Sequence, residues 1–404
     1  MNKPGVVNNA LVIGAGVWQI PIITFLKNKG FKIFVVDPYT FSPGVKLAEA
    51  YYQSDVRYAD EIIPLIKDIP FAIITSDQSD IAVKTVSKLT EKFGLQGNNP
   101  EATLKFTNKF LMRQLAQQLK LPIPRFAKID TVEQLNDFKK FNGLPFIIKP
   151  ADSQSSRGVF KIETSNYNDI ENLFSESMKF SNCGYILAED FVSGTELTVE
   201  GFASDYRHRT LAISSKKHFR TAIASSLEYP AHGIPAKILE EVEKTNDYFV
   251  ENSGLKFGIT HAEYMVQPDT GQINLIEIAC RGGGSLISSD IIKWVSGVDV
   301  YEHLFENLSG KTTDVKNLNV LKRNAVLHFF EFGSGKVKAI KGLNEAVKIP
   351  GVHFLKLFIN EGDEIARATD DRSRQGMVII FAESKDELEV ALTTTDQLLQ
   401  IEFE

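Results

Sequence analysis

The chain has 404 residues, of which 43% are hydrophobic and 24% charged, with a formal net charge of −6 and a pI near 5.8. That length exceeds one compact core and predicts about two to three domains. The acidic balance gives no basic footprint for nucleic acid or an anionic membrane, so any anionic ligand has to be met locally. Cys183 and Cys280 are the only cysteines, which excludes a thiolate metal site and a disulfide-stapled secreted fold. The one N-terminal apolar stretch, residues 11–26, imitates a signal peptide but is broken by Gly14, Gly16, Gln19 and Pro21. No run of about 18 uninterrupted apolar residues follows, so a cytoplasmic protein is expected.

In chain order, Ala10–Ile13, Lys32–Val36 and Phe71–Thr75 read as buried parallel strands of a doubly wound α/β domain. The turn Gly14-Ala15-Gly16-Val17-Trp18-Gln19 has the form of a dinucleotide fingerprint with Gln19 replacing the last glycine, and Asp37 follows at a ribose-binding distance. Alone this suggests NAD; without the third glycine, a structural or substrate-side role is the better reading. Thr107 then caps a predicted helix over Asn108–Leu119, and Leu121-Pro122-Ile123-Pro124 stops it. The α+β domain that begins here has predicted strands at Phe146–Lys149, Tyr185–Glu189, Glu196–Phe202, Thr210–Ser214, Thr260–Gln267 and Ile273–Ile278. Ala325–Phe330, Val352–Leu357, Met377–Ala382 and a helix over Lys385–Leu399 form a small last domain with no catalytic constellation.

Candidate chemistry collects in the middle domain. Lys149 ends an apolar strand and is expected at a partly desolvated edge, where it needs an anion. The loop after it, Ala151 to Val159, is rich in hydroxyls and closed by Gly158, a backbone able to fold over phosphate oxygens. The strand ending in Glu189-Asp190-Phe191-Val192 offers an edge to adenine, and Glu196 is placed to accept ribose hydroxyls. Glu263 and Glu277 are single acids on two apolar strands joined by the tight turn Pro268-Asp269-Thr270-Gly271. Counting out from that turn sets them nearly opposite each other, an arrangement that costs stability unless a cation bridges them. Mg²⁺, which takes one or two carboxylates plus substrate phosphates, fits. Arg281 and Gly282-Gly283-Gly284 follow, a fixed cation beside bare backbone suited to a phosphoryl group or a carboxylate.

Taken together, Lys109, Lys149, the Ser/Gly loop, Glu189 to Val192, Glu196, Glu263, Glu277 and Arg281 resemble the ATP-grasp superfamily. The first hundred residues are similar to the domain that precedes ATP-grasp there, particularly at Gly14-Ala15-Gly16-Val17-Trp18-Gln19 and at Val35-Val36-Asp37-Pro38 with Ser42-Pro43-Gly44. Pro350-Gly351-Val352 through Gly362-Asp363 to Asp371-Arg372 and Gly376 are similar to the tail of the amino-acid ligase, carbamoyl-phosphate-synthetase-like branch. The resemblance implies an α/β and α+β chain: a Rossmann-like pre-ATP-grasp domain (1–106), a two-lobed ATP-grasp domain (107–312, lid about 125–190) and a small mixed α/β C-terminal domain (320–404). It implies ATP and Mg²⁺, with Mn²⁺ able to substitute. Lys109 and Lys149 would hold phosphates, Ser155, Ser156 and Gly158 would close over them, and Glu189, Asp190, Phe191 and Val192 would meet adenine. Glu196 would take the ribose, Lys216 would add a charge, Glu263 and Glu277 would hold the metal, and Arg281 with Lys149 would serve phosphoryl transfer. The implied activity is an ADP-forming carbon–nitrogen ligase that makes an acyl phosphate from a carboxylate, expected to be an amino acid, and passes it to an amine. Biotin-carboxylase-like bicarbonate activation and ATP binding without catalysis are the alternatives. The expected partners are these small molecules and, by the commonest arrangement of soluble enzymes, a second copy of the chain. Ala279 stands where the superfamily often has an asparagine ligand, and His232 and His261 receive no role.

Overall fold

The computed structural model describes residues 7–154, 156–220, 223–371 and 373–404. The first strands are β1 (Asn9–Ile13), β2 (Lys32–Asp37), β3 (Ala50–Gln53) and β4 (Ile73–Thr75), all parallel in the order β3-β2-β1-β4. Their apolar runs are buried, with Ala10, Leu11, Val12 and Ile13 at 0% exposure, as expected of a parallel sheet covered on both faces.

The turn after β1 is filled by its own side chains. Asp37 is buried and spent internally: its carboxylate accepts from the Ala15 N–H at 2.7 Å, the Tyr39 N–H at 2.9 Å and the Ser42 hydroxyl at 2.7 Å. Gln19 lies over Gly14 and Gly16, and its amide donates to the Asp77 carbonyl at 2.8 Å. Gly44 presses onto the same turn, where a Cβ would stand 2.7 Å from Ile23 Cδ1 and 2.9 Å from the Ala15 oxygen. The dinucleotide-like motif thus has a structural account in full.

The helix Lys109–Gln118 follows a shorter one, Pro100–Thr107. Its cap is Asn108, whose side chain accepts from the Phe110 and Leu111 N–H groups, and not Thr107 as the sequence suggested. Thr107 ends the preceding helix, with its hydroxyl bonded back to the Thr103 carbonyl. Strands β5 (Phe126–Ile129), β6 (Phe146–Pro150), β7 (Phe160–Ile162) and β8 (Ile186–Asp190) make an antiparallel sheet in the order β5-β8-β6-β7. This lobe has its own core, including Leu135, Phe146, Ile148 and Ile170.

Then come β9 (Thr195–Ser204), β10 (Arg207–His218), β11 (Ala224–Tyr229), β12 (Gly258–Val266), β13 (Ile273–Ala279), β14 (Asn324–Phe329), β15 (Gly335–Lys341), β16 (Val352–Leu357), β17 (Glu364–Ile365), β18 (Gly376–Ala382) and β19 (Gln400–Phe403). Eight of them form one sheet in the order β13-β12-β9-β10-β11-β14-β18-β16. The last segment therefore extends the central sheet, with β14 paired antiparallel to β11 and Leu227 opposite Leu327.

Candidate active site

The β12–β13 hairpin places Glu263 directly opposite Glu277 and His261 opposite Ala279. Both glutamates are met by cations from other elements. Lys109, at the start of its helix, brings Nζ to 2.9 Å from Glu277 Oε1 and 2.8 Å from the Ser153 carbonyl. Lys216 on β10 reaches across β9, with Nζ 2.7 Å from Glu263 Oε1 and 2.5 Å from Glu196 Oε1. His218 Nε2 lies 2.8 Å from the other Glu196 oxygen. Burial alone would raise the Glu196 pKa, but Lys216 and His218 outweigh it and hold the carboxyl at about 2. Burial likewise acts to lower Lys216, and Glu263 and Glu196 overcome it and raise it.

Lys149 and Glu189 sit deeper. Lys149 Nζ is 2.6 Å from Glu189 Oε2, and Arg113 Nε is 2.5 Å from Glu189 Oε1. Burial opposes the charge on Glu189, yet Arg113 and Lys149 keep its carboxyl below the usual range. The Glu189 side chain is therefore committed to this ion triad, and its backbone lies in β8 between Phe126 of β5 and Ile147 of β6. At the end of β8, Asp190 pairs with Arg125 at 2.5 Å, while Phe191 is exposed with Lys161 Nζ 4.3 Å from its ring centroid. Val192 is half-buried. In the loop after β6, Ser156 is exposed and Gly158 is buried, its carbonyl accepting from Ser177 Oγ at 2.8 Å; Ser155 lies outside the described residues.

Arg281 is gripped from the first domain. Its Nε and Nη2 donate to the two Asp80 oxygens at 2.9 and 2.8 Å, and Nη1 donates to the Gly282 carbonyl at 3.0 Å. Asp80, with Glu277 and Asp77 further off, overcomes the burial penalty and raises the guanidinium pKa. His261 Nδ1 is 2.7 Å from Glu200 Oε1, and the His232 N–H reaches Ser215 Oγ at 3.4 Å.

Lys109 ties the loop after β6 to the central sheet, through the Ser153 carbonyl on one side and Glu277 on the other. Among the described residues no group of three or more His, Cys, Asp or Glu gathers as a metal cage. Two facing carboxylates with lysines beside them suit Mg²⁺ that takes its remaining ligands from phosphates and water. Sequence reading missed Arg113, Asp77, Asp80 and Glu200. Arg113 carried a signal, standing one helical turn after Lys109 on the same face. So did Asp77 and Asp80, placed just past the carboxyl end of a parallel strand.

Residues 142–290 match the ATP-grasp domain family, and residues 328–404 match the L-amino acid ligase C-terminal domain 2. Fold and site define the class at the level of a domain: residues 142–290 form a domain of the ATP-grasp type. More particularly, residues 328–404 are of the type found at the C-terminus of L-amino acid ligases. The formate-dependent phosphoribosylglycinamide formyltransferase of Aliivibrio fischeri is 24% identical over 183 residues, 45% of this chain and 47% of that protein. The chain thus spans about half of that relative. The Saccharolobus solfataricus protein of the same name is 26% identical over 292 residues, 66% of this chain and 71% of the relative. The solved L-amino acid ligase from Bacillus licheniformis superposes with a TM-score of 0.81 at 20% identity, covering 98% of this chain and 99% of that one.

Proposed function

We propose that this protein is an ATP-dependent ligase that activates a carboxylate, that of an amino acid, and joins it to an amine. The observation that carries the reading is the register of Glu263 against Glu277, with Lys109 paired to Glu277, Lys216 paired to Glu263 and Arg281 near enough to Glu277 for the two charges to interact. The L-amino acid ligase domain at the end of the chain supports the amino acid as substrate. In this reading Lys109 and Lys149 neutralise the α- and β-phosphates, the backbone from Glu189 to Val192 receives adenine, and Glu196 accepts the ribose hydroxyls. Ser155, Ser156 and Gly158 belong to the loop that covers the phosphates.

A carboxylate oxygen attacks the γ-phosphorus, the bond to the ADP oxygen breaks, and an acyl phosphate forms. Lys216 and Arg281 balance the charge that spreads over the transferred group. The amine nitrogen then attacks the acyl carbon, loses a proton to solvent and expels inorganic phosphate, leaving an amide. Glu263 and Glu277 would hold Mg²⁺, which when bound would supply charge neutralisation to the phosphates; Mn²⁺ suits the same oxygen ligands. The protein's larger contribution is alignment of carboxylate, γ-phosphate and amine. We place the enzyme in the cytoplasm as a homodimer; no helix among the described residues is long and apolar enough to cross a membrane.

The test is ADP and phosphate release with MgATP against a pairwise panel of amino acids, with mass spectrometry of the products. The expected result is release that requires an acid and yields a dipeptide mass. Tight nucleotide binding with no acid-dependent release would instead establish a binding protein, the outcome that Ala279 in place of an oxygen ligand favours.

A further inference from the structure

The first domain has the topology in which doubly wound folds bind ligands: the strand order β3-β2-β1-β4 reverses direction between β1 and β4. The crevice beyond those two strand ends is flanked by the Gly14–Gln19 turn and the loop Ser76 to Ser79. It is filled by the protein's own chain. The Asp77 carboxylate accepts from the Gly282 N–H at 2.8 Å, Ser288 Oγ at 2.6 Å and the Tyr301 hydroxyl at 2.7 Å. Asp80 holds both Nε and Nη2 of Arg281, and its own N–H donates to Gln154 Oε1, from the loop after β6, at 3.1 Å.

We propose that Asp80 is the positioning residue for Arg281, so that the first domain serves the reaction as a clamp on the phosphoryl-facing cation. The inference rests on Arg281 facing the γ-phosphate, as in the function proposed above. Three glycines follow Arg281, so this stretch has no side chains of its own with which to fix its path. Gly282 admits no Cβ, which would stand 2.3 Å from Ser288 Cβ and 2.7 Å from Asp77 Oδ1. The direction of the guanidinium is therefore set by its paired bonds to a single carboxylate. Nε–H and one hydrogen on each Nη are used, and the second hydrogen on each Nη remains for phosphate oxygens.

Two effects of Asp80 oppose each other. Its charge offsets that of Arg281 and weakens attraction to phosphate, while its geometry holds the donors in place. Arg281 is only 17% exposed and Asp80 15%, so a loosened guanidinium loses a built position in a partly desolvated site. Orientation outweighs charge relief there, because preorganised donors supply most of the stabilisation of a transferring group.

The experiment is calorimetric titration of the full chain with MgADP and with the magnesium complex of adenylyl imidodiphosphate, which adds a γ-phosphoryl group. Asp80→Asn is expected to leave MgADP affinity within about twofold and to weaken the imido analogue by about fivefold or more, as expected for misdirected charge-assisted bonds. Asp80→Glu should recover part of the loss, and Asp80→Asn should add nothing in an Arg281→Met background. Equal weakening for both nucleotides, additive losses, or tighter binding of the analogue would each overturn the proposal. Should Asp80→Asn not fold, Arg281→Lys carries the same comparison, since an ammonium cannot take the paired bonds. The ligase reading fails separately: a parent chain that releases no ADP with any acid sinks that reading, while the analogue affinities still decide the clamp.

Discussion

Lys216 serves two carboxylates at once, Glu196 and Glu263; the proposed function gives the first to the ribose and the second to the metal. The pair is largely buried, with Lys216 14% and Glu196 13% exposed, so the Glu196 shift is a statement about stability. A carboxyl held near 2 in the fold but titrating at 4.5 when unfolded adds stability that is complete above 4.5 and lost as pH falls from there toward 2. In Glu196→Gln, roughly 2 kcal/mol of the stability lost between pH 4.5 and about pH 3 should disappear, read from urea midpoints at each pH. Lys216→Met tests the metal side. With the ammonium gone, Glu263 lacks its cation, and Mg²⁺ without nucleotide should raise the melting temperature of the variant more than that of the parent. An equal or smaller rise would show that the lysine and the metal do not compete for Glu263. The pairing of Glu263 with Glu277 was legible because a short turn makes register a local count. The partners of those acids were not, since Lys216 arrives across an intervening strand and Asp80 from a separate domain.

At the scale of elements, two turns carry the argument. The turn after β1 looked like a nucleotide site because its glycines are real, but they serve packing: Gln19 covers them and Gly44 rests on them. Asp37→Ala should remove about 2–4 kcal/mol, because the Ala15 and Tyr39 N–H groups and the Ser42 hydroxyl lose their acceptor. MgATP affinity should be unchanged, and parent and variant alike should show no quenching of Trp18 or Trp294 by NAD. The Arg281–Gly284 turn behaves in the opposite way. Gly282→Ala forces Ser288 or Asp77 aside, so it should cost turnover about 100-fold by displacing Arg281 while leaving MgADP binding close to normal. Equal loss of both would mean that the turn supports the whole cleft. The three glycines could be read as functional from sequence; that one of them makes room for a side chain in another domain could not, because nothing in Ser76 to Asp80 names its partner.

For the whole molecule, the core is shared more widely than the chain order suggests. One apolar cluster runs from Ile22, Ile23 and Leu26 of the first domain through Phe202 and Ile259 to Leu327, Met377 and Ile379 of the last segment, whereas the β5–β8 lobe, the proposed lid, has a core of its own. The periodicity of the last segment marked β14, β16, β18 and the helix Lys385–Leu398 but not β15, β17 or β19, and periodicity does not say which sheet a strand joins. Because β14 hydrogen-bonds to β11, a chain ending at residue 323 would expose the β11 edge along with Leu227 and Tyr229, which are 5% and 0% exposed in the full chain. An open apolar edge of this kind pairs with other chains. The truncated protein should elute as aggregate in size-exclusion chromatography and lose hydrogen-exchange protection in β10 and β12 as well as at the cut. Deletion of the lid should leave those strands protected. A truncated chain that stays monomeric and binds MgATP as the parent does would show that the last segment is an appendage, and that the eight-stranded sheet is two units lying edge to edge.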